Sequence, residues 1–140
     1  MDVEQLVGNF ELLGDWEERY RYLIDLGRKL PPMPEGEKSE ASKVRGCMSQ
    51  VWLTSQVEPG PPLRLRFHGD SDAHIVKGLI ALLFLLYGQR TPQEILALDV
   101  QKVFERLGLE NQITMNRRNG FYSMVERIRA LAAQHADAAA

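Results

Sequence analysis

The residue best suited to covalent chemistry is a thiol. Cys47 is the only cysteine in the chain, and it follows Gly46 directly within Lys43-Val44-Arg45-Gly46-Cys47-Met48-Ser49-Gln50-Val51-Trp52-Leu53. Glycine reaches backbone angles that other residues resist, so a tight turn there presents its neighbour outward. Val51-Trp52-Leu53-Thr54 is rich in β-branched and aromatic residues and reads as a strand. A cysteine at such a loop-to-strand junction can be exposed enough to react, and loops held on a scaffold commonly carry function. Reaction needs the thiolate, which a free cysteine forms near pH ~8.5 unless cations or amide donors lower that value. Arg45, two positions away, is placed to help. Against this stands the ordinary fate of a lone free cysteine, which is to be a small buried hydrophobe.

Little else in the sequence offers a partner for that thiol. A cysteine hydrolase needs a base within hydrogen-bond reach of its nucleophile. His68 and His74 are the nearest histidines, and no signature sets either beside Cys47. His74 has no second ligand at metal-binding spacing and reads as a first-turn surface residue.

The elements that must position Cys47 belong to one ordinary globular domain, spanning residues 1–140. With 140 residues, 44% hydrophobic and 26% charged, the chain is long enough for a real core. Its net charge is −2 and its Lys and Arg residues are dispersed, so no basic stripe argues for nucleic acid. A single cysteine makes no internal disulfide, which suits a reducing, cytoplasmic setting. Met1-Asp2-Val3-Glu4 is acidic and lacks a signal-peptide pattern. The most apolar run, Leu79 to Tyr87, falls far short of the ~20 residues needed to span a bilayer and reads as a buried helix.

In chain order, residues 3–13 are weakly helical. Asp15 and Glu18 have capping-box spacing, so a second helix starts there, with Trp16, Tyr20, Leu23, Ile24 and Leu30 on its core face. Pro31-Pro32-Met33-Pro34 stops it, and Glu35 to Ser42 is a polar loop. Two strands follow, Gln50 to Val57 and Leu63 to His68, the second alternating Leu65 and Phe67 with Arg66 and His68 as a sheet with one wet face does. Lys43 to Arg45 adds a short third strand. Gly69-Asp70-Ser71-Asp72 supplies a turn and a cap for a long helix from Asp72 to about Tyr87. Thr91-Pro92-Gln93-Glu94 is a strong helix start, Asp99 caps another helix, and the last begins near Asn119 or Gly120. Frayed chain is expected over about 135–140. Helices, then strands, then helices give an α+β fold: a small antiparallel sheet of about three strands packed against helices from both chain ends.

Three stretches then resemble one known family. Gly46-Cys47-Met48-Ser49-Gln50-Val51-Trp52-Leu53 is similar to the Gly-Cys-Gln-Ser-Gln-Val-Trp signature of SufE-type proteins. Phe67 to Ala73, continuing through Ile75-Val76-Lys77-Gly78-Leu79, resembles that family's second segment. Ile113-Thr114-Met115-Asn116-Arg117-Arg118-Asn119-Gly120-Phe121 resembles the third. Order and spacing match over nearly the whole chain. The departures are Met48, where glutamine is commoner, and Met115, commonly proline; neither removes a reactive group.

The resemblance implies a sulfur acceptor in iron–sulfur cluster assembly, with a fold shared with IscU-type scaffolds. Cys47 would take persulfide sulfur from a SufS-type, pyridoxal-phosphate-dependent cysteine desulfurase and pass it to a SufBCD-type scaffold complex. The chain itself would need no cofactor and no metal, and would work as a monomer or weak homodimer. Relay of this kind is thiolate attack on a sulfur–sulfur bond, as in thiol–disulfide exchange. It is the work of an accessory carrier rather than of a stand-alone enzyme. Arg45, Gly46, Met48, Ser49 and Gln50 form the supporting loop, and Val44, Met48 and Val51 are candidates for an apolar resting wall. Arg117 is expected near the loop, where it would stabilise negative sulfur. Trp52, Ser71 and Asp72 are candidate contacts with a partner. Rival readings are a desulfurase-binding activator that takes no sulfur and, from the shared fold, an IscU-like cluster scaffold, which fails on ligand count because three cysteines are normal there and this chain has one.

Overall fold

The computed structural model describes residues 3–136. Helix α1 (Val3–Leu12) buries Leu6, Val7 and Phe10. Helix α2 (Trp16–Arg28) starts where the sequence places it: the Glu18 N–H donates to Asp15 Oδ1 at 2.9 Å. In return Glu18 Oε2 accepts from the Gly14 N–H at 2.8 Å, which ties the residue before the cap back to the first turn. Of the predicted stripe, Leu23 is fully buried, while Trp16 and Tyr20 pack half-exposed against the core. A single 3-10 turn at Glu35–Glu37 interrupts the polar segment that follows.

Strands β1 (Val51–Glu58) and β2 (Arg64–Ser71) form an antiparallel hairpin with Val51 opposite Ser71 and Glu58 opposite Arg64. Val51 and Leu53 from β1, with Leu65 and Phe67 from β2, point into the core. Helix α3 (His74–Tyr87) lies across this buried face, with Phe84 stacked on Phe67 at a ring separation of 5.9 Å. The approach is close at Gly69, where an added Cβ would sit 2.9 Å from both Leu53 Cδ2 and Phe84 Cζ. Helices α4 (Pro92–Ala97) and α5 (Val100–Arg106) begin at Thr91 and Asp99 as predicted, each with a side-chain cap. Helix α6 (Met115–Ala136) closes the fold and packs on α3, α4 and β1.

The α+β architecture is as expected, and three local expectations are corrected. The third strand shrinks to one bridge, Lys43 to Trp52, because the chain turns away at Gly46 with φ +88° and no ladder can continue. Strand β2 runs on through Gly69, Asp70 and Ser71, pairing them with β1; a glycine and two small polar residues gave that extension no sequence signal. The cap of α3 moves to Ala73 in consequence, with no side-chain hydrogen bond. Finally, α6 starts at Met115, ahead of Asn119 and Gly120. The Arg117 N–H donates to Thr114 Oγ1 at 3.3 Å, so Thr114 caps the helix. His135 and Ala136 are still helical, and the rest of the expected frayed tail, 137–140, lies outside the described residues.

On the outer face of the hairpin lies the segment 35–44. Glu37 Oε1 accepts from Thr54 Oγ1 at 2.7 Å and lies 3.0 Å from His68 Nδ1. Lys38 Nζ meets Asp70 at 2.8 Å and stands 5.6 Å over the Trp52 ring. Buried Ser42 donates from Oγ to the Glu37 carbonyl at 2.6 Å, and its own carbonyl accepts from the Leu53 N–H at 2.9 Å. This strap leads straight into the Cys47 loop and fixes where that loop leaves the body.

Candidate functional site

The loop Arg45–Gln50 has a narrow neck, closed by the Val44 N–H donating to the Val51 carbonyl at 2.8 Å. Its outgoing end is held by Asp72: Oδ1 accepts from the Gln50 N–H at 3.0 Å, and the Asp72 N–H donates to the Gln50 carbonyl at 3.3 Å. Gly46 makes the turn in the left-handed region and packs on α6, where an added Cβ would lie 2.6 Å from Ser123 Oγ. Both the dihedral and the space require glycine there.

That turn lays Cys47 against α6. The half-buried thiol donates to the Gly120 carbonyl across 3.6 Å, and a Cβ on Gly120 would come within 3.4 Å of Sγ. Glycine inside a helix costs about 1 kcal/mol relative to alanine, and here it leaves room for sulfur. Beside the thiol opens a cavity of about 220 Å³. Its apolar wall comes from Val76 and Leu79 of α3 and Phe121 and Met124 of α6; Thr114, Asn116 and Arg117 line its polar side, and Met48 and Ser49 close it from the loop. Burial pushes the Cys47 thiol above its ordinary pKa, so at rest it is a neutral S–H donor, which a carbonyl acceptor suits.

The predicted site residues divide around this cavity. Cys47, Met48, Ser49 and Arg117 line it together, and Gly46 and Gln50 shape the loop without lining it. Arg45 is exposed and lines a neighbouring groove with Glu40, Lys43, Ser123, Glu126 and Arg127. Val44 and Val51, expected as the resting wall, are instead buried in the core at the neck of the loop. Trp52 sits half-buried under Lys38, and Ser71 is buried with its Oγ accepting from the Ala73 N–H at 3.2 Å. Asp72 is exposed but holds Gln50. Thr114, Asn116 and Phe121 were missed as site residues, and so were Val76, Leu79, Gly120 and Met124. Their one signal is spacing, with Val76 and Leu79 three apart and Gly120 and Met124 four apart, which puts each pair on one helix face.

Among the described residues, no histidine or carboxylate lines the cavity. His68 is engaged with Glu37 on the outer face of the sheet, so a Cys–His hydrolase has no base at its nucleophile. Among the described residues, no group of three His, Cys, Asp or Glu side chains converges as a metal site would need, and no helix is long and apolar enough to cross a membrane.

Comparison with known proteins bears on the family and the fold. Residues 4–132 match the SufE family model, described as an Fe-S metabolism associated domain. An uncharacterized SufE-like protein of Rhizobium etli is 44% identical over 129 residues, covering 91% of this chain and 86% of that protein. A second, from Rhizobium meliloti, is 41% identical, covering 91% and 92%. The solution structure of a hypothetical protein from Thermus thermophilus superposes with a TM-score of 0.76 at 26% identity, covering 94% of this chain and 93% of that one. A lone cysteine folded against a glycine of the last helix, within a fold and sequence shared along almost its full length, makes this chain a member of the SufE family.

Proposed function

We propose that the chain is a sulfur carrier in iron–sulfur cluster assembly, with Cys47 as the acceptor of persulfide sulfur. The supporting observation is the thiol beside a largely apolar cavity of about 220 Å³ that no histidine or carboxylate of the described residues lines. A hydrolytic nucleophile needs a base at hand; a carrier needs access, then shelter. The cavity is several times the ~30 Å³ share of one water molecule, ample for one additional sulfur.

The transfer is redox-neutral. The Cys47 thiolate attacks the outer sulfur of a persulfide on the donor's cysteine, a new S–S bond forms to Cys47, the donor's S–S bond breaks, and the donor thiolate leaves. The neutral resting thiol must first leave the Gly120 carbonyl and lose its proton in a wetter or more positive setting. Only the loop Arg45–Gln50 has to swing, because its neck and the strap hold the rest. On return, Val76, Leu79, Phe121 and Met124 screen the persulfide from reductant, and Arg117 lines the side where its negative charge would face. The donor of best chemical fit is a pyridoxal-phosphate-dependent cysteine desulfurase of the SufS type, and the recipient is a SufBCD-type scaffold complex. The pyridoxal phosphate belongs to the donor. A reducing, cytoplasmic setting follows from the need to keep Cys47 a free thiol.

The test is desulfurase turnover with L-cysteine in the presence of this chain or its Cys47→Ser variant. Stimulation by the wild type that is lost in the variant supports carriage. Equal stimulation by both would make the chain an activator that takes no sulfur.

A further inference from the structure

The surface around the cavity carries two features, of which the transfer chemistry itself uses only Arg117. Among the described residues, the large hydrophobic side chains left exposed are Leu12, Met48, Val57 and Met115. Leu12 ends α1 and Val57 lies near the end of β1, each standing singly. Met48 and Met115 are 80% and 66% exposed and belong to one place. Met48 lines the cavity from the loop, and Met115 opens α6 between Thr114 and Asn116, which both line it. Methionine is flexible and polarisable, and it adapts to irregular apolar surfaces better than branched side chains do.

The second feature is charge. Ten of the chain's twelve arginines spend their guanidinium on a carboxylate or a carbonyl. Among the described residues, the two with no side-chain partner are Arg45, on the Cys47 loop, and Arg117, in the cavity wall. Arg45 shares its groove with Lys43 and Arg127 and with the carboxylates Glu40 and Glu126, and Arg117 lines the cavity, so in a chain of net charge −2 four cations against two carboxylates leave this rim positive.

We infer that Met48 and Met115 are paired apolar anchors for the sulfur-donor protein, and that Arg45 and Arg117 select a donor whose cleft is apolar inside and acidic at its edge. This rests on the carrier reading and adds the chemistry of the partner's surface. Anchoring by methionine sets affinity, since apolar anchors sunk in a partner's pocket dominate interface energy. The guanidiniums set salt dependence and association rate, as rim charges do. The docking face is thus the loop and the start of α6, away from Trp52 and Ser71, which are already engaged.

The test is equilibrium binding of a purified SufS-type cysteine desulfurase to the wild type, Met48→Ser, Met115→Ser, the double methionine variant and Arg45→Ala. Thermal melts verify folding of each variant, and sedimentation reports self-association. The double methionine variant is expected to bind roughly tenfold more weakly, with an unchanged melt. Wild-type affinity should fall as salt rises, and Arg45→Ala should flatten that slope. Unchanged affinity in the folded double variant overturns the inference. So does self-association that vanishes in that variant while desulfurase binding is kept, because the methionines would then join two copies of this chain. Failure of sulfur transfer with binding still methionine-dependent would sink the carrier reading and leave the anchor intact.

Discussion

Gly120 separates what the fold wants from what the site wants. In the interior of a 22-residue helix, alanine is worth about 1 kcal/mol over glycine. The Cβ of Gly120→Ala would sit 3.4 Å from Cys47 Sγ and 3.8 Å from Cys47 Cβ, ordinary contact rather than a clash. Gly120→Ala should therefore raise stability by up to about 1 kcal/mol, or roughly 4 °C in Tm for a domain of this size, while narrowing the space for a second sulfur. Gly120→Val adds two methyl groups against the same sulfur, so the thiol must move out. Leaving its site forfeits a weak S–H···O bond and partial burial, together about 1 kcal/mol. Since ~1.4 kcal/mol is tenfold, alkylation of Cys47 by iodoacetamide should speed up about fivefold. The assays are thermal unfolding by circular dichroism and pseudo-first-order alkylation followed by mass at fixed pH. A folded Gly120→Val that alkylates at the wild-type rate, or a Gly120→Ala that melts lower, would refute the placement of the thiol against α6.

Three further outcomes follow from the same geometry. Gly46→Ala should lose about 1–2 kcal/mol to its positive φ, plus the contact with Ser123; adding Ser123→Ala should restore only the steric part, and full recovery of the melting temperature would contradict the dihedral argument. Arg117→Ala, which breaks no side-chain hydrogen bond, should melt within about 0.5 kcal/mol of wild type yet accept sulfur more slowly in single-turnover transfer, and equal rates would remove Arg117 from the site. The raised thiol pKa makes the closed loop's contribution full below the ordinary thiol range and lost as pH rises through the folded value. The alkylation rate should accordingly climb with a midpoint above that of a small cysteine peptide, and a midpoint at or below the peptide's would show that the thiol does not rest in a desolvating site.

Much of this was legible in the sequence because local chemistry dictates it. Asp15, Thr91 and Asp99 announce their helices by side-chain capping, and each does cap. Gly46 before Cys47 announces a turn that presents a thiol, and the turn has a positive φ. What stayed hidden depends on contacts between distant segments. Val76 and Leu79 read as plain core on a nearly all-apolar helix, and only the return of α6 makes them a cavity wall. Gly120 read with Asn119 as a cap and turn, whereas it lies inside α6 against a sulfur atom 73 residues away. Ser71 and Asp72 read as caps for the following helix. Pairing with β1 drew Ser71 into the sheet, and Asp72 was free to hold Gln50.

The central claim is tested most directly by intact-protein mass after incubation with a SufS-type desulfurase and L-cysteine, without reductant. The account predicts a gain of one sulfur atom on the wild type, mapped to the peptide that contains Cys47, removed by thiol reductant and absent from Cys47→Ser. A wild-type chain that stimulates the desulfurase yet leaves the mixture at its original mass would contradict it.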